Sequence, residues 1–273
     1  NDTCNIKQPI VFNYKHINED FFNYLQHDNI ANTQDNITIT DKDNQSFLLN
    51  YSSASILLQN DKENDYYTEN NEHFIYDSNL QNIFETNDIY LKPFFTVKTK
   101  YDIHLASDNC TTPLKYHTYN RHFIAVHSGK IRIKLIPPKY STHLNEIKDY
   151  DKYEFYSPIN IWDVDKKYIH LIEKTKSLEF DIYPGNIIYI PSYWWYSIKY
   201  LYQDDTPAMC SSITYITGTN LLSNIKHYFL YFIQQSNTKI IKTKTLSQDE
   251  LNNMTKSKND DTPDENPTSC SDI

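Results

Sequence analysis

The sequence predicts a mainly β protein, flanked by N-terminal α/β elements and by a helix near its C-terminal end. Alternation of apolar and polar residues recurs between residues 101 and 217, which is typical of half-buried strands. Glycine occurs only 3 times, and two of these glycines separate such segments. After residue 218 the apolar residues recur at steps of three and four, which is typical of a helix.

Composition narrows the classes of function. Hydrophobic residues make up 39% of the 273 residues, which is enough for a packed core. The formal net charge of −9 argues against sequence-independent nucleic-acid binding, because such binding needs a positive surface. No apolar run approaches the roughly 18 residues of a membrane span. The four cysteines form no Cys-x-x-Cys pair, so the sequence predicts neither a zinc ribbon nor a disulfide framework.

Residues 1–100 are expected to form N-terminal elements that pack on the core. The segments "QPIVFNY" and "SFLLNY" suit strands. The segment "DSNLQNIFE" suits a short helix, with Asp77 or Ser78 as its N-cap. The polar stretch at residues 60–73 is expected to be a solvated loop.

Residues 101–218 are predicted to form the β core. The segment "HFIAVHSGKIRIKLIPP" gives two strands joined at Gly129, and apolar and basic residues alternate along the second strand. Pro137 and Pro138 end it. After a polar excursion over 139–178, "LEFDIYPGNIIYIPSYWWYSIKY" gives two or three strands with Gly185 in a turn, and "MCSSITYIT" gives another. Both glycines are expected to lie in hairpin-like turns.

Residues 219–240 are predicted to contain a C-terminal helix. Within 219–235 the apolar residues recur at helical spacing, at Leu222, Ile225, Tyr228, Phe229 and Phe232. We expect this face to pack on the core or on a second copy of the chain, which would give a homodimer. Residues 245–273 are polar and acidic, and we expect them to be a disordered tail.

One pair of segments carries a resemblance to a known family. "TPLKYHTYNRHFIAVHSGKIRIKLIPP" is followed by "YPGNIIYIPSYWW". Together they resemble the JmjC/cupin-like Fe(II)/2-oxoglutarate hydroxylases, including the asparaginyl hydroxylase that inhibits the hypoxia-inducible factor. The resemblance is strongest over about residues 103–217. It implies a double-stranded β-helix, a jelly roll whose mouth holds Fe(II) and 2-oxoglutarate in active members.

The resemblance also assigns the positions of the family's metal ligands, two histidines and one carboxylate. These positions hold Lys115, His117 and Tyr196 in this chain. An ammonium group has three donors and no acceptor, so it cannot coordinate a cation. We therefore expect three vacated ligand positions, with no catalytic residue, no bound metal and no cofactor. Lys115 is expected to pair with a local acceptor.

Further residues are candidates for the lining of the pocket: Thr112, Tyr119, Ser128, Trp194 and Trp195. Ser128 stands where relatives carry the lysine that pairs with 2-oxoglutarate, and the basic residues of the following strand are expected to form its solvated face. His117, His122 and His127 are not expected to converge, because on one extended strand His122 faces the opposite side.

Three functions remain open at this point. The first is a catalytically degenerate cupin/JmjC-like protein that acts as a binding or structural module with an unidentified protein partner. The second is a divergent Fe(II)/2-oxoglutarate-dependent protein hydroxylase with relocated ligands. The third is a metal-free cupin that binds a small anionic ligand through Lys115, His117 and Tyr196. The surplus of Asn, Ile, Lys and Tyr resembles an AT-rich genome, as in a giant virus or a protist, and a viral protein would be expected in the host cytoplasm or the virion.

Overall fold

The N-terminal third combines short strands with short helices. The computed structural model of the chain describes residues 7–30, 33, 35–43, 45–203, 206–236 and 244–245. Its first elements are β1 (Ile10–Asn13), α1 (Glu19–Tyr24), α2 (His27–Ile30), β2 (Asn36–Thr40), β3 (Ser46–Asn50), α3 (Tyr51–Asn60), β4 (Tyr67–Thr68), α4 (Glu72–Asp77), α5 (Gln81–Glu85) and α6 (Asp88–Leu91).

The middle of the chain is mostly strand. Its elements are β5 (Thr96–Leu105), β6 (Lys115–Tyr116), β7 (Arg121–Ser128), β8 (Lys130–Ile136), β9 (Ile147–Asp149), β10 (Glu154–Tyr156), α7 (Ile169–Ile172), β11 (Leu178–Ile182), β12 (Asn186–Pro191), β13 (Trp195–Leu201) and β14 (Met209–Thr217). As expected, Pro137 follows the end of β8.

These strands form two antiparallel sheets whose members alternate along the chain. The first sheet has the order β1-β12-β7-β14-β5, and the second has the order β11-β8-β13-β6-β10-β9. From β5 onward, β5, β7, β12 and β14 belong to the first sheet, while β6, β8, β11 and β13 belong to the second. This alternation is the double-stranded β-helix, or jelly roll, so the predicted fold class is confirmed.

Gly129 and Gly185 lie at the corners where the chain passes from one sheet to the other. β7 and β8 do not pair with each other, and neither do β11 and β12. The expected hairpin-like turns were therefore wrong, because alternation along a strand does not reveal which strand it pairs with. Both glycines have positive φ angles, 58° and 86°. A Cβ atom on Gly129 would lie 2.6 Å from the Cα of Ala208, so this corner requires glycine.

The first sheet is covered on both faces. Between the sheets, apolar residues of β7, β12 and β14 pack against Ile131, Ile133 and Leu135 of β8, which are fully buried. This burial confirms the alternation expected for β8. On the opposite face, apolar side chains of the N-terminal helices pack against β5, β7, β12 and β14, and β1 extends the sheet at its edge by pairing with β12. The N-terminal elements thus share a core with the jelly roll.

Two N-terminal expectations were wrong. Asp77 ends α4 and Ser78 is its C-cap, so neither residue caps the following helix, which begins at Gln81. Residues 60–73 are also not a solvated loop throughout. They contain β4, in which Tyr67 and Thr68 are buried, because this short strand pairs with β2.

The helix after the jelly roll is broken once. It consists of α8 (Gly218–Ser223) and α9 (Ile225–Ser236), with Asn224 between them as the C-cap of α8. A two-residue strand, β15 (Lys244–Thr245), pairs with β3. Apart from Thr245, the tail expected at 245–273 lies outside the described residues. Within the described part of the chain, no helix is long and apolar enough to cross a membrane.

Candidate functional site

A cavity of about 910 Å³ lies at the jelly roll. Its walls come from β5, β7 and β14 of the first sheet, from β6, β10 and β13 of the second sheet, and from β2, β3 and the residues that follow β4. α9 adds two side chains to the lining, Tyr231 and Gln235. A cavity of this size is large enough for a small organic ligand.

An ion pair between Lys115 and Glu69 lies in the wall of this cavity. Lys115 belongs to β6, and Glu69 directly follows β4. Burial alone would lower the pKa of Lys115, but the Glu69 carboxylate, with smaller effects of Tyr196 and Glu154, raises that pKa well above its usual value. Lys115 therefore stays charged, and its expected pairing with a local acceptor is confirmed.

The three positions that the resemblance assigns to metal ligands meet at one corner of the cavity. Lys115 of β6 stands opposite Tyr196 of β13 in the strand register. The centres of the His117 and Tyr196 rings are 6.1 Å apart, and all three residues line the cavity. Burial raises the pKa of Tyr196 to about 12, so its phenol is protonated at neutral pH.

His117 and His122 lie side by side, although the sequence predicted that they would not converge. Their ring centres are 4.7 Å apart. The reason is that β6 ends at Tyr116 and β7 begins at Arg121, so the two histidines do not share one extended strand. The signal that sequence reasoning missed is the polar run "HTYN", which interrupts the alternation.

His127 remains on the opposite face of the first sheet. Its ring centre lies 5.1 Å from that of Phe21 in α1, and its Nε2 is 2.7 Å from the Oγ of Ser211. His127 does not line the cavity, which agrees with its expected separation from the other two histidines.

Hydroxyl groups of β14 contact two of the histidines that line the cavity. The Nε2 of His104 lies 3.0 Å from the Oγ of Ser212, and the Nδ1 of His122 lies 2.8 Å from the Oγ1 of Thr214. Asp102 approaches the same His104 nitrogen, at 3.8 Å, so these groups do not have the arrangement of a catalytic triad, in which the acid binds the other ring nitrogen. Sequence reasoning missed Ser212 and Thr214, whose spacing of two within an apolar strand was the available signal.

Of the residues proposed as pocket lining, Thr112 and Tyr119 do line the cavity. The Oγ1 of Thr112 accepts a hydrogen bond from the backbone N–H of Ile198, 3.0 Å away, which ties the segment before β6 to β13. Lys100 lies over the ring of Tyr119, with its ammonium 5.3 Å from the ring centre.

The other three proposed residues lie elsewhere. The Ser128 hydroxyl donates to the backbone carbonyl of Pro207. Trp195 is fully buried on the far side of the second sheet, against Tyr116, because it precedes the cavity-facing Tyr196 and so has the opposite parity on β13. Trp194 is partly buried against the cluster between the sheets.

A comparison with protein families agrees with this architecture. A model described as a Cupin-like domain matches residues 10–222. The chain belongs to this family. No curated protein matches it at a significant level.

The basic residues of β8 in this cupin-like domain do not reach the cavity. The Nζ of Lys130 and the Nε of Arg132 lie 3.1 and 2.6 Å from the carboxylate of Asp181 in β11. Lys134 lies over the ring of Trp162, 4.4 Å from the ring centre. These contacts agree with the solvated face expected for this strand, so β8 offers no free cation for the distal carboxylate of 2-oxoglutarate.

The donor set of the cupin-like domain does not fit Fe(II). A facial triad needs two imidazoles and one carboxylate, whereas the three positions here hold an ammonium group, an imidazole and a phenol. Throughout the described residues, no three His, Cys, Asp or Glu side chains are grouped so that they could hold a metal ion.

Proposed function

We propose that this cupin-like domain is a catalytically degenerate binding module, which binds a small ligand in its cavity without iron chemistry. The observation that carries this proposal is the ion pair between Lys115 and Glu69. An ammonium group that is already paired with a carboxylate, at a position that the resemblance assigns to a metal ligand, supports this proposal. An ammonium group has no lone pair, so Lys115 cannot replace an imidazole as a metal ligand.

The cavity favours a binding role over a purely structural one. A degenerate domain that served only as a scaffold would gain stability by filling its mouth with side chains, since cavities are destabilising. This domain instead keeps a space of about 910 Å³, lined by charged groups, imidazoles and phenols. Such a lining supports recognition of a polar ligand.

The two alternatives have weaker support. A divergent Fe(II)/2-oxoglutarate hydroxylase would need relocated ligands, and the described side chains offer no suitable group of three. A small anionic ligand would need a free cation at Lys115, whose charge is already matched by Glu69.

Thermal unfolding in the presence of Mn(II) or Fe(II), with and without 2-oxoglutarate, tests the proposal. A ligand that binds only the folded state raises the midpoint of unfolding by mass action. We expect no metal-dependent rise and no bound transition metal by elemental analysis. A rise with metal that increases further with 2-oxoglutarate would overturn the proposal in favour of the hydroxylase.

A matched variant provides the positive control. The triple substitution Lys115→His, His117→Asp and Tyr196→His places the family's donor types at the three adjacent positions. We expect this variant to show the metal-dependent rise that the unmodified chain lacks. Its midpoint without metal, compared with that of the unmodified chain, establishes that it is folded.

We further propose that the partner of the C-terminal helix is a second copy of the chain. Leu222, Ile225, Phe229 and Phe232 are 62–70% exposed in the single chain. The segment 218–236 contains no acidic residue, although the whole chain carries a formal charge of −9. Two copies could therefore meet through this face without bringing their acidic surfaces together.

A further inference from the structure

The cavity carries an excess of negative charge. Five acidic side chains and three lysines line it, which leaves two more negative than positive charges when histidine is counted as neutral. The acids are Glu69, Glu72, Asp102, Asp151 and Glu154, and the lysines are Lys100, Lys115 and Lys152. A ligand that enters this cavity therefore meets a negative site, even though Lys115 lies in its wall.

Glu154 is the carboxylate that Lys115 leaves unmatched. It lies on β10, and its Oε1 accepts a hydrogen bond from the side-chain amide of Asn70, 3.0 Å away. Burial and then the nearby Glu69 carboxylate raise the pKa of Glu154, while Lys115 acts in the opposite direction. Lys152 also acts in that direction, but within the described residues neither lysine forms an ion pair with Glu154, so a further cation at this place would be stabilised by Glu154.

Buried polar atoms of the same cavity lack partners. Within the described part of the chain, the Oδ1 of Asp151, both ring nitrogens of His117 and the Nε2 of His122 make no hydrogen bond. Backbone groups of Ile190 and Tyr119 approach the His117 ring, but without hydrogen-bonding geometry. His117 is only 6% exposed. Buried polar groups are almost always hydrogen-bonded, so these atoms are available to hydrogen-bond a ligand that enters the cavity.

The histidines are suited to accept from such a ligand. Burial lowers the pKa of His117 to about 3 and that of His122 well below its usual value. Both imidazoles are therefore neutral near pH 7, and each keeps one nitrogen lone pair as an acceptor. The phenol rings of Tyr119, Tyr153 and Tyr231 also line the cavity. Such rings attract organic cations through their faces.

We propose that the ligand of this cavity is a small aliphatic amine, whose ammonium group lies against Glu154 with the neutral histidines and the tyrosine rings around it. An ammonium group supplies the positive charge that the carboxylates lack and the N–H donors that the orphaned acceptors lack. The inference rests on the proposed function, because it assumes that the cavity binds a ligand without a metal.

Three molecules with the same five-carbon backbone test the sign of the charge. Cadaverine carries two ammonium groups, pentane-1,5-diol is neutral, and glutarate carries two carboxylates. Binding is measured by calorimetry and by thermal unfolding of the whole chain in the presence of a chelator. We expect cadaverine to bind and to raise the midpoint, while pentane-1,5-diol and glutarate do neither. Preferential binding of glutarate, or no binding of cadaverine, would overturn the inference.

Two variants assign the bound amine to the cavity. Glu154→Gln should weaken cadaverine binding by about tenfold to a hundredfold, which corresponds to one lost charge-assisted hydrogen bond. Asp151→Asn provides a second variant of the cavity, with weaker binding expected for the same reason. Glu179→Gln is the matched control, because Glu179 pairs with Lys134 on β8 and does not line the cavity. Binding that is equal in all three variants would show that the amine binds elsewhere and overturn the inference.

The failure of this inference differs from the failure of the proposed function. If the metal-free chain does not bind cadaverine and also shows no metal-dependent rise, only the identity of the ligand is wrong. If Mn(II) and 2-oxoglutarate stabilise the chain, the proposed function itself is wrong, whatever cadaverine does.

Discussion

Three buried histidines make the stability of this protein depend on pH. Burial lowers the pKa of His117 and of His127 to about 3, and it lowers the pKa of His122 in the same direction. In the unfolded chain a histidine binds its proton at about pH 6.5. Between these limits the unfolded state holds more protons than the folded state. The free energy of unfolding therefore falls as the pH falls below about 6.5.

His127 allows this linkage to be measured away from the cavity. Each buried histidine contributes a slope of about 1.4 kcal/mol per pH unit in this window. We expect His127→Gln, which keeps a side chain able to reach Ser211, to reduce the slope by about that amount, even if it lowers stability at pH 7. The measurement is the free energy of unfolding by urea between about pH 5.5 and about pH 4.5, where a histidine of the unfolded chain is almost fully protonated.

The control for this prediction is His16→Gln, which changes an exposed histidine. It should keep the slope of the unmodified chain. An equal slope in His127→Gln and in the unmodified chain would show that the folded protein binds a proton on His127 as readily as the unfolded chain does.

At the scale of single residues, the sequence predicted that a buried charge would be paired, but it did not predict which residue would be its partner. A lysine at a buried strand position must be paired, so its pairing could be expected from chemistry alone. Glu69 could not be named, because it precedes Lys115 by 46 residues in a segment that looks like a solvated loop. Glu154 could not be named either, because it lies in the polar segment at residues 139–178, which has no hydrophobic pattern. Hydrophobic patterns do not reveal which distant acid folds against which base.

Among the helices and strands, α9 differs most from expectation, because its most apolar side does not pack on the rest of the domain. The side that packs on the domain is formed by His227, Tyr228 and Tyr231, and the ring of Tyr228 stacks on that of Tyr153 with 4.9 Å between the ring centres. The more apolar residues point outward, so that Phe229 is 62% exposed and Phe232 is 70% exposed. Helical spacing predicted the helix, but it could not decide which of its two sides would meet the jelly roll.

The exposed side of α9 gives the second prediction. If a second copy covers it, the unmodified chain should have the mass of a dimer in light scattering. The double substitution Phe229→Ser and Phe232→Ser should then give a monomer, since it removes apolar area from the contact. Both side chains are exposed in the single chain, so their replacement should not unfold it. The variant should therefore still show a cooperative unfolding transition, which establishes that it is a folded monomer.

Ile56→Ser serves as its control, because Ile56 is 59% exposed on α3, in a different element. This variant should remain a dimer. A monomeric mass for the unmodified chain would end the homodimer proposal.

The strands were more predictable than their pairing. β14 was expected at "MCSSITYIT" and covers residues 209–217. β7 and β8 were also placed correctly on each side of Gly129. Their assignment to different sheets was not predicted, because consecutive strands can pair or cross with the same alternation. Only the close packing of Ala208 against Gly129 shows that the chain turns a corner here.

For the whole molecule, the N-terminal elements and the jelly roll share one hydrophobic core. Phe21 of α1 is fully buried and its ring contacts those of Phe84 in α5 and His127 in β7. This contact joins the N-terminal helices directly to the first sheet. Separate domains would have separate cores, whereas here one cluster of buried side chains spans both parts.

Phe21→Ala tests, in the whole chain, whether this shared core makes the two parts unfold cooperatively. All 3 tryptophans lie within the jelly-roll region, at Trp162, Trp194 and Trp195. Truncation of a buried phenylalanine costs about 3–5 kcal/mol, against a typical domain stability of about 5–15 kcal/mol. If the two parts unfold together, tryptophan fluorescence and circular dichroism should shift to the same lower denaturant midpoint, while Ile56→Ala should leave both in place. A fluorescence midpoint that does not move while circular dichroism shows an earlier transition would mean that the N-terminal elements unfold independently of the jelly roll.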